Sequence, residues 1–199
     1  MLGKHQLQVN FTLEDESFSL QKQIEIINNK APKLMGYSII NTYPHNPTAY
    51  TQGLEFLGDT LYEGTGQYKE STLRKVDYKT GKVLQKVNLP DRVFGEGISI
   101  LDDKIYQLTW RSGYGFIYDL NTFEELDKFS FNNSAEGWGL CNDGERFYKS
   151  DGTDKIWLLE PETMKELSYI QPTTHKGTNK QLNELEWVNG KIYANTYQR

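Results

Sequence analysis

The sequence predicts an all-β protein, a β-propeller, and three observations lead to that prediction. Four similar segments repeat along the chain, and their shared tyrosines are spaced by 44, 42 and 45 residues, the length expected for one four-stranded propeller blade. Each segment alternates apolar and polar residues on either side of a short polar turn, as a β-hairpin does. Aromatic residues make up 13% of the chain, and their flat rings pack well on half-buried strands.

The four repeated segments are TQGLEFLGDTLYEGTG, GEGISILDDKIYQLTW, EGWGLCNDGERFYKSD and LNELEWVNGKIYANTY. We expect them to be the inner hairpins of four blades, with equivalent tyrosines at Tyr62, Tyr106, Tyr148 and Tyr193. The stretches between them, STLRKVDYKTGKVLQKVNL, GYGFIYDLNTFEELDKFSF and TDKIWLLEPETMKELSYIQ, alternate around a central turn of their own. They are therefore predicted to be outer hairpins.

The chain divides into two parts of different pattern. Residues 1–36 hold two strand-like pieces and a KAPK linker, which predicts a short β-appendage outside the ring. Residues 37–199 are expected to form the propeller, in which segment 37–46 matches the last strand of an outer hairpin and would close the ring. The chain stops after the second strand of its fourth inner hairpin, so either a four-bladed ring closes irregularly or a further blade is missing. We expect the second case, a C-terminally truncated propeller of about four blades.

Composition excludes several classes of function. The net charge is −5, and no Lys/Arg block interleaves with the aromatic residues, so nucleic acid is not an expected partner. No apolar run is long enough to span a bilayer, and Cys141 is the single cysteine. The three histidines lie in dissimilar contexts, which argues against a metal site. We expect a monomer that needs no cofactor.

Candidate site residues come from equivalent positions in the repeats. In a propeller, residues at the start of the innermost strands face the mouth of the central channel, where ligands bind. Glu96, flanked by two glycines, is the candidate general acid/base, although a buried glutamate can also tie strand ends together. Alignment of the repeats brings the following residues together: Gln52, Glu96, Trp138 and either Asn183 or Glu184, with Trp110 and Tyr197 at the ends of the following strands.

The other candidates also have structural interpretations. Trp110 and Trp138 are either pocket walls or wedges between blades. Asn183 either donates a hydrogen bond to a developing oxyanion or caps a strand.

The strings AYTQGLEF, FGEGISIL, QLTW, EGWGL, SDGT and NELEWVNGKIYAN, in this order and at blade spacing, resemble the glutamine cyclotransferase family of papaya latex and many bacteria. The resemblance covers residues 37–199. It implies a five-bladed propeller, here without its C-terminal blade, and a pocket at the channel mouth. It also places the family's catalytic glutamate on Glu96, its pocket asparagine on Asn183, its glutamine on Gln52, and its pocket tryptophans on Trp110 and Trp138.

Three differences from the family pattern concern the pocket. Tyr50 stands before TQG where the plant pattern has phenylalanine, which keeps an aromatic wall. Tyr197 stands where the family usually places a tryptophan, which would narrow or repolarise the pocket. We also expect the absent fifth blade to carry a lysine that the family places in the pocket.

The resemblance implies a glutaminyl-peptide cyclotransferase, which converts the N-terminal glutamine of a peptide or protein to pyroglutamate and releases ammonia. Glu96 would shuttle the proton, with its pKa raised by burial toward neutrality, while Asn183 and Gln52 would bind the oxyanion. Family analogy also implies export to the periplasm or cell surface. The alternative is a non-catalytic propeller that binds peptides or carbohydrates.

Overall fold

The computed structural model describes residues 2–197, and the regular structure in this range consists of strands alone. None of these residues belongs to a helix with the length and apolarity that a membrane crossing requires. The prediction of an all-β protein is therefore confirmed.

An isolated hairpin opens the chain, made of β1 (Gly3–Leu13) and β2 (Glu16–Ile26) in antiparallel register. It is attached to the rest of the protein by polar contacts. The Nζ of Lys4 lies 2.5 Å from the Oδ2 of Asp154, and the backbone N–H of Thr178 donates to the Oε1 of Glu25 at 3.0 Å. The two strand-like pieces of the N-terminal region are thus confirmed as strands.

Three antiparallel sheets of four strands follow, each with its strands ordered as in the sequence. The first contains β3 (Thr51–Leu57), β4 (Thr60–Thr65), β5 (Thr72–Asp77) and β6 (Lys82–Asn88). The second contains β7 (Gly95–Leu101), β8 (Lys104–Thr109), β9 (Tyr114–Asp119) and β10 (Glu125–Ser130). The third contains β11 (Leu140–Asn142), β12 (Phe147–Ser150), β13 (Ile156–Leu159) and β14 (Glu166–Ile170).

Two further hairpins complete the described chain. A short one joins β15 (Thr173–Thr174) to β16 (Gly177–Thr178), and the fourth repeat forms the pair β17 (Leu182–Val188) and β18 (Lys191–Thr196). The four inner strands β3, β7, β11 and β17 are neighbours in chain order, and β17 also contacts β3.

The repeat tyrosines occupy equivalent strands, as the sequence predicts. Tyr62, Tyr106, Tyr148 and Tyr193 all lie on the second strand of an inner hairpin, and each is paired with the corresponding residue of the first strand. The first three pack into the layers of apolar side chains between successive sheets. Tyr193 is 49% exposed because no sheet among residues 2–197 covers its side of the fourth hairpin. The core is therefore a series of layers between sheets.

The prediction for residues 37–46 is wrong, because this segment forms no strand. It runs exposed along the first sheet, with the ring of Tyr43 4.9 Å from that of Tyr78. A strand persists only when its backbone groups pair with a neighbouring edge. No strand of the described residues pairs with this segment.

Candidate active site

Backbone irregularities place three predicted site residues at corresponding points of the inner strands. The pairing register shifts between Thr51 and Gly53, between Gly95 and Ile98, and between Leu182 and Leu185. A bulge of this kind turns a side chain out of the normal alternation of the strand. The residues inside the three bulges include Gln52, Glu96 and Asn183.

Glycines beside these residues allow the inner strands to approach one another closely. A Cβ atom added at Gly53, Gly97 or Gly139 would lie 2.6, 2.6 or 2.0 Å from a backbone atom of the next repeat. These atoms belong to Ile98, Trp138 and Asn183, respectively. The N–H of Gly97 uses this proximity to donate to the carbonyl of Trp138 at 2.8 Å. The site is therefore built on backbone-to-backbone contact between sheets, which fixes the spacing of its side chains.

A cavity of about 180 Å³ opens where the bulged ends of the inner strands meet. Seven of the eight residues expected in the site line it, and no residue of the β1–β2 hairpin does. The lining residues are Tyr50, Gln52, Gln67, Phe94, Glu96, Trp110, Trp138, Asn183 and Tyr197.

Glu96 is the acidic residue of this lining. The residue is 6% exposed, and no hydrogen bond is among the causes that shift the pKa of its carboxyl. Burial raises the pKa of Glu96 to about 9, and the negative charge of Glu136 adds to the effect. The carboxyl is therefore protonated at neutral pH and can donate a proton inside the pocket.

Aromatic rings form the walls around this carboxyl. The rings of Trp138 and Tyr197 meet edge to face at 5.7 Å, and those of Phe94 and Trp110 do so at 5.6 Å. Gly152, with a φ of +77°, leaves the space that the indole of Trp138 fills, since a Cβ there would lie 2.5 Å from the ring. Such walls exclude water and restrict the conformations of a flexible ligand.

Glu184 does not line the cavity, although the repeats place it beside Asn183. Its Oε1 accepts a hydrogen bond from the backbone N–H of Leu54 at 3.3 Å, across the contact between β17 and β3. Burial raises its pKa well above the ordinary value. The bulge that turns Asn183 into the pocket directs its neighbour elsewhere, so Glu184 is left out of the substrate contacts proposed below.

Sequence analysis missed three residues of the site: Gln67, Phe94 and Glu136. Phe94 lies two residues before Glu96, as Tyr50 lies before Gln52, so repeat alignment could have found it. Glu136 lies at the same offset before Trp138. Gln67 has a φ of 85°, unusual for a residue with a side chain, and no sequence pattern reveals such a conformation.

Among residues 2–197, no group of three His, Cys, Asp or Glu side chains is arranged to hold a metal ion. The fold and the site together define a class: a repeat protein of antiparallel sheets with an enzyme-like pocket, in which one protonated carboxyl meets amide side chains and aromatic walls.

Known proteins narrow this class to a family. The sequence model of the family described as glutamine cyclotransferase matches residues 10–199. A glutaminyl-peptide cyclotransferase of Arabidopsis thaliana is 38% identical over 161 residues, which are 80% of this chain and 50% of the plant protein. The chain belongs to the glutamine cyclotransferase family, and it spans about half the length of this curated relative.

Solved structures agree with this assignment. The crystal structure of Myxococcus xanthus glutaminyl cyclase superposes with a TM-score of 0.74 at 30% identity, covering 81% of this chain and 67% of that one. The Kuenenia stuttgartiensis hydrazine synthase matches with a TM-score of 0.55 at 18% identity, over 82% of this chain and 47% of that one. The second likeness concerns the fold alone.

Proposed function

We propose that the protein is a glutaminyl-peptide cyclotransferase, which closes the N-terminal glutamine of a peptide or protein into pyroglutamate and releases ammonia. The observation that carries the proposal is the buried, protonated carboxyl of Glu96 in a cavity walled by Trp110 and Trp138. Family membership supports the same reaction, since the related plant and bacterial proteins are a glutaminyl-peptide cyclotransferase and a glutaminyl cyclase.

In this reaction the neutral α-amine attacks the side-chain amide carbon, a C–N bond forms, and the original C–N bond of the amide breaks. Glu96 starts protonated and donates its proton to the leaving nitrogen, which departs as ammonia. The resulting carboxylate then takes a proton from the new ring nitrogen, so the enzyme returns to its initial state. An α-amine has a pKa of about 7.7–8.0, so the amine and the carboxyl are both in their reactive forms between about pH 8 and 9.

The remaining lining residues supply charge stabilisation and position. The side-chain amides of Asn183 and Gln52 can donate hydrogen bonds to the oxyanion that forms on the attacked amide. Trp110, Trp138 and Tyr197 would hold the flexible glutamine side chain folded, with its amide carbon close to the amine. Such positioning accounts for much of the acceleration in intramolecular reactions.

Substitution of Glu96 by glutamine tests the proposal. Glu96→Gln keeps the shape and neutrality of the protonated side chain but cannot transfer a proton, so turnover of a Gln-initiated dipeptide should fall by about a hundredfold or more. Ammonia release measures the rate, and the wild-type profile of kcat/KM against pH should be bell-shaped, with a basic limb near pH 9.

Glu55→Gln is the matched control. Glu55 is a half-buried carboxyl, with a pKa that burial raises to about 7, but it lines a different cavity at the other end of the inner strands. This variant should retain the wild-type rate within a few fold. Wild-type cyclisation by Glu96→Gln would refute the role of Glu96, and a wild type that binds such peptides without releasing ammonia would favour the non-catalytic alternative.

We also propose that the four repeats are blades of a β-propeller formed by residues 37–199, with residues 1–36 as an appendage. The cyclic contacts of the inner strands and the apolar layers between the sheets support this architecture.

A further inference from the structure

Two indoles of the pocket share one acceptor atom. The Nε1 of Trp110 donates to the Oε2 of Glu136 at 2.8 Å, and the Nε1 of Trp138 donates to the same oxygen at 2.9 Å. Trp110 follows β8 and Trp138 precedes β11, so the two rings come from different sheets. A single carboxylate oxygen therefore fixes the orientation of two pocket walls relative to each other.

The other oxygen of Glu136 is held from outside the pocket. The Nε of Arg111 donates to its Oε1 at 2.7 Å, and the guanidinium lies 4.0 Å above the ring of Trp110. Partial burial acts to raise the pKa of Glu136, but the hydrogen bonds from Trp138, Arg111 and Trp110 outweigh it and lower the pKa below its ordinary value. Glu136 is therefore ionised over the pH range of the proposed reaction.

The place of Glu136 in its repeat points to a role in the pocket. It lies two residues before Trp138, and the corresponding residues of the first two repeats, Tyr50 and Phe94, are pocket walls. In the third repeat a carboxylate replaces the wall ring. The two indoles that donate to Glu136 themselves line the cavity. Glu136 therefore supports the pocket walls from behind and is more than a surface ion pair with Arg111.

We propose that Glu136 is a positioning residue, whose carboxylate locks the indoles of Trp110 and Trp138 in the orientation that encloses the glutaminyl side chain. The inference rests on the proposed cyclisation. Charged hydrogen bonds to a shared acceptor are stronger than neutral ones, and they keep both rings in place before the substrate arrives.

The charge of Glu136 has a second effect, on the proton of Glu96. Glu136 places negative charge near Glu96, and Arg111 partly compensates for it. Glu184 also lies near Glu96, but burial raises its own pKa well above the ordinary value. The other titratable groups of the lining are Tyr50 and Tyr197. Removal of the charge of Glu136 should therefore lower the pKa of Glu96, and the basic limb of the pH profile should move to lower pH.

Two substitutions separate the hydrogen bonds from the charge. Glu136→Ala removes both, whereas Glu136→Gln keeps one acceptor oxygen for the indoles and removes only the charge. We expect Glu136→Ala to lower kcat/KM by about ten- to hundredfold with a raised KM, and Glu136→Gln to recover part of that loss at its own pH optimum. In Glu136→Gln the basic limb should also lie at lower pH than in the wild type.

Two measurements on the protein without substrate keep this test independent of cyclisation. The indole ¹H–¹⁵N resonances of Trp110 and Trp138 should both move in Glu136→Ala, and the carboxyl ¹³C titration of Glu96 should shift to lower pH in Glu136→Gln. Glu145→Gln, at a carboxylate with 83% of its side chain exposed, should change neither.

The outcomes distinguish the two proposals. A wild type that releases no ammonia would refute the proposed function, while the indole resonances and the titration of Glu96 would still decide the role of Glu136. Unmoved indole resonances in Glu136→Ala would overturn the positioning role of Glu136, and an unmoved Glu96 titration in Glu136→Gln would overturn its charge effect on Glu96. Both results would count even if the wild type cyclises peptides.

Discussion

Two glutamates of this protein are buried to the same extent, but one is neutral at pH 7 and the other is ionised. Glu96 and Glu166 are both 6% exposed. Glu166 accepts hydrogen bonds from the Nζ of Lys149 at 2.8 Å, from the backbone N–H groups of Asn133 and Ser134 at 2.6 and 2.9 Å, and from the hydroxyl of Ser134. In contrast, no hydrogen bond is among the causes that shift the pKa of the Glu96 carboxyl.

The comparison shows that partners, rather than depth of burial, decide whether a buried carboxyl is charged. Burial acts to raise the pKa of Glu166, but Lys149 and the hydrogen bonds outweigh it, and the pKa lies below its ordinary value. Burial raises the pKa of Glu96 to about 9, with no hydrogen bond acting to lower it. The glutamate with charged and hydrogen-bonded partners stays ionised and holds strands together, whereas the other glutamate retains its proton at neutral pH.

The largest expected effect follows from removing the cation beside Glu166. Lys149 is fully buried, and its ammonium lies 3.7 Å from the centre of the Phe131 ring. Lys149→Ala leaves a buried carboxylate without its counter-ion and should lower the free energy of unfolding by about 3–5 kcal/mol, measured by urea denaturation at pH 7. The exposed pair of Lys128 with Glu125 is the control, and Lys128→Ala should cost less than about 1 kcal/mol. Equal losses of unfolding free energy in Lys149→Ala and Lys128→Ala would contradict the conclusion that the buried pair matters more than the exposed one.

The next largest effect is that replacing glutamate by glutamine changes the free energy of unfolding in opposite directions at Glu166 and Glu96. Glu166→Gln should destabilise the fold by on the order of a few kcal/mol at pH 7, since the amide cannot reproduce the acceptors and charge that the buried donors require. Glu96→Gln should instead stabilise it, also by on the order of a few kcal/mol at pH 7, because wild type must keep bound a proton that the unfolded chain releases.

The pH dependence checks these signs. Glu96 has a folded pKa of about 9 and an unfolded value of about 4.3, so between them the folded state binds more protons and wild-type stability falls as pH rises. The gain from Glu96→Gln should therefore be near zero at pH 4 and grow toward pH 9. The stabilisation from Glu166, whose folded pKa is lowered, is present above about pH 4.3 and lost as pH falls through the folded pKa. A pH-independent gain would contradict the assignment for Glu96.

The smallest effect concerns one donor of the Glu166 cluster. Ser134→Ala removes the hydroxyl that contacts both Glu166 and Lys149 but leaves the backbone donors in place. The expected loss in the free energy of unfolding is about 0.5–1.5 kcal/mol, the usual net value of one hydrogen bond. The ¹³C titration of Glu166 should move toward higher pH, and an unchanged titration would show that the hydroxyl does not help to hold the charge.

The sequence predicted Glu96 but not Glu166, and the reason is physical. Glu96 occupies a position that has an equivalent in every repeat, so its place near Gln52 and Asn183 follows from the period of the repeats. Glu166 lies on β14 and reaches Lys149 on β12 across an intervening strand, and alternation alone cannot tell which polar residue of an outer hairpin turns inward.

Strand order and the equivalent tyrosines were likewise predictable, because they depend on pattern and turn chemistry alone. The bulges that separate Asn183 from Glu184 were not, since a bulge depends on how two strands fit together. Segment 37–46 has a strand-like pattern but pairs with no strand of the described structure, so its pattern was misleading.

The glycines at positions 53, 97 and 139 have a different structural role from the residues that directly precede them. Each one sets how near two sheets come, while the adjacent Gln52, Glu96 or Trp138 determines what the cavity contains. Spacing and chemistry are therefore encoded separately, one residue apart. Replacing a side chain at a bulge changes the reactivity of the pocket without widening it, and a methyl group at any of the three glycines forces the sheets apart without altering a single reactive group. A designer who wants a different reaction in this frame has a short set of positions to vary and an equally short set to leave alone.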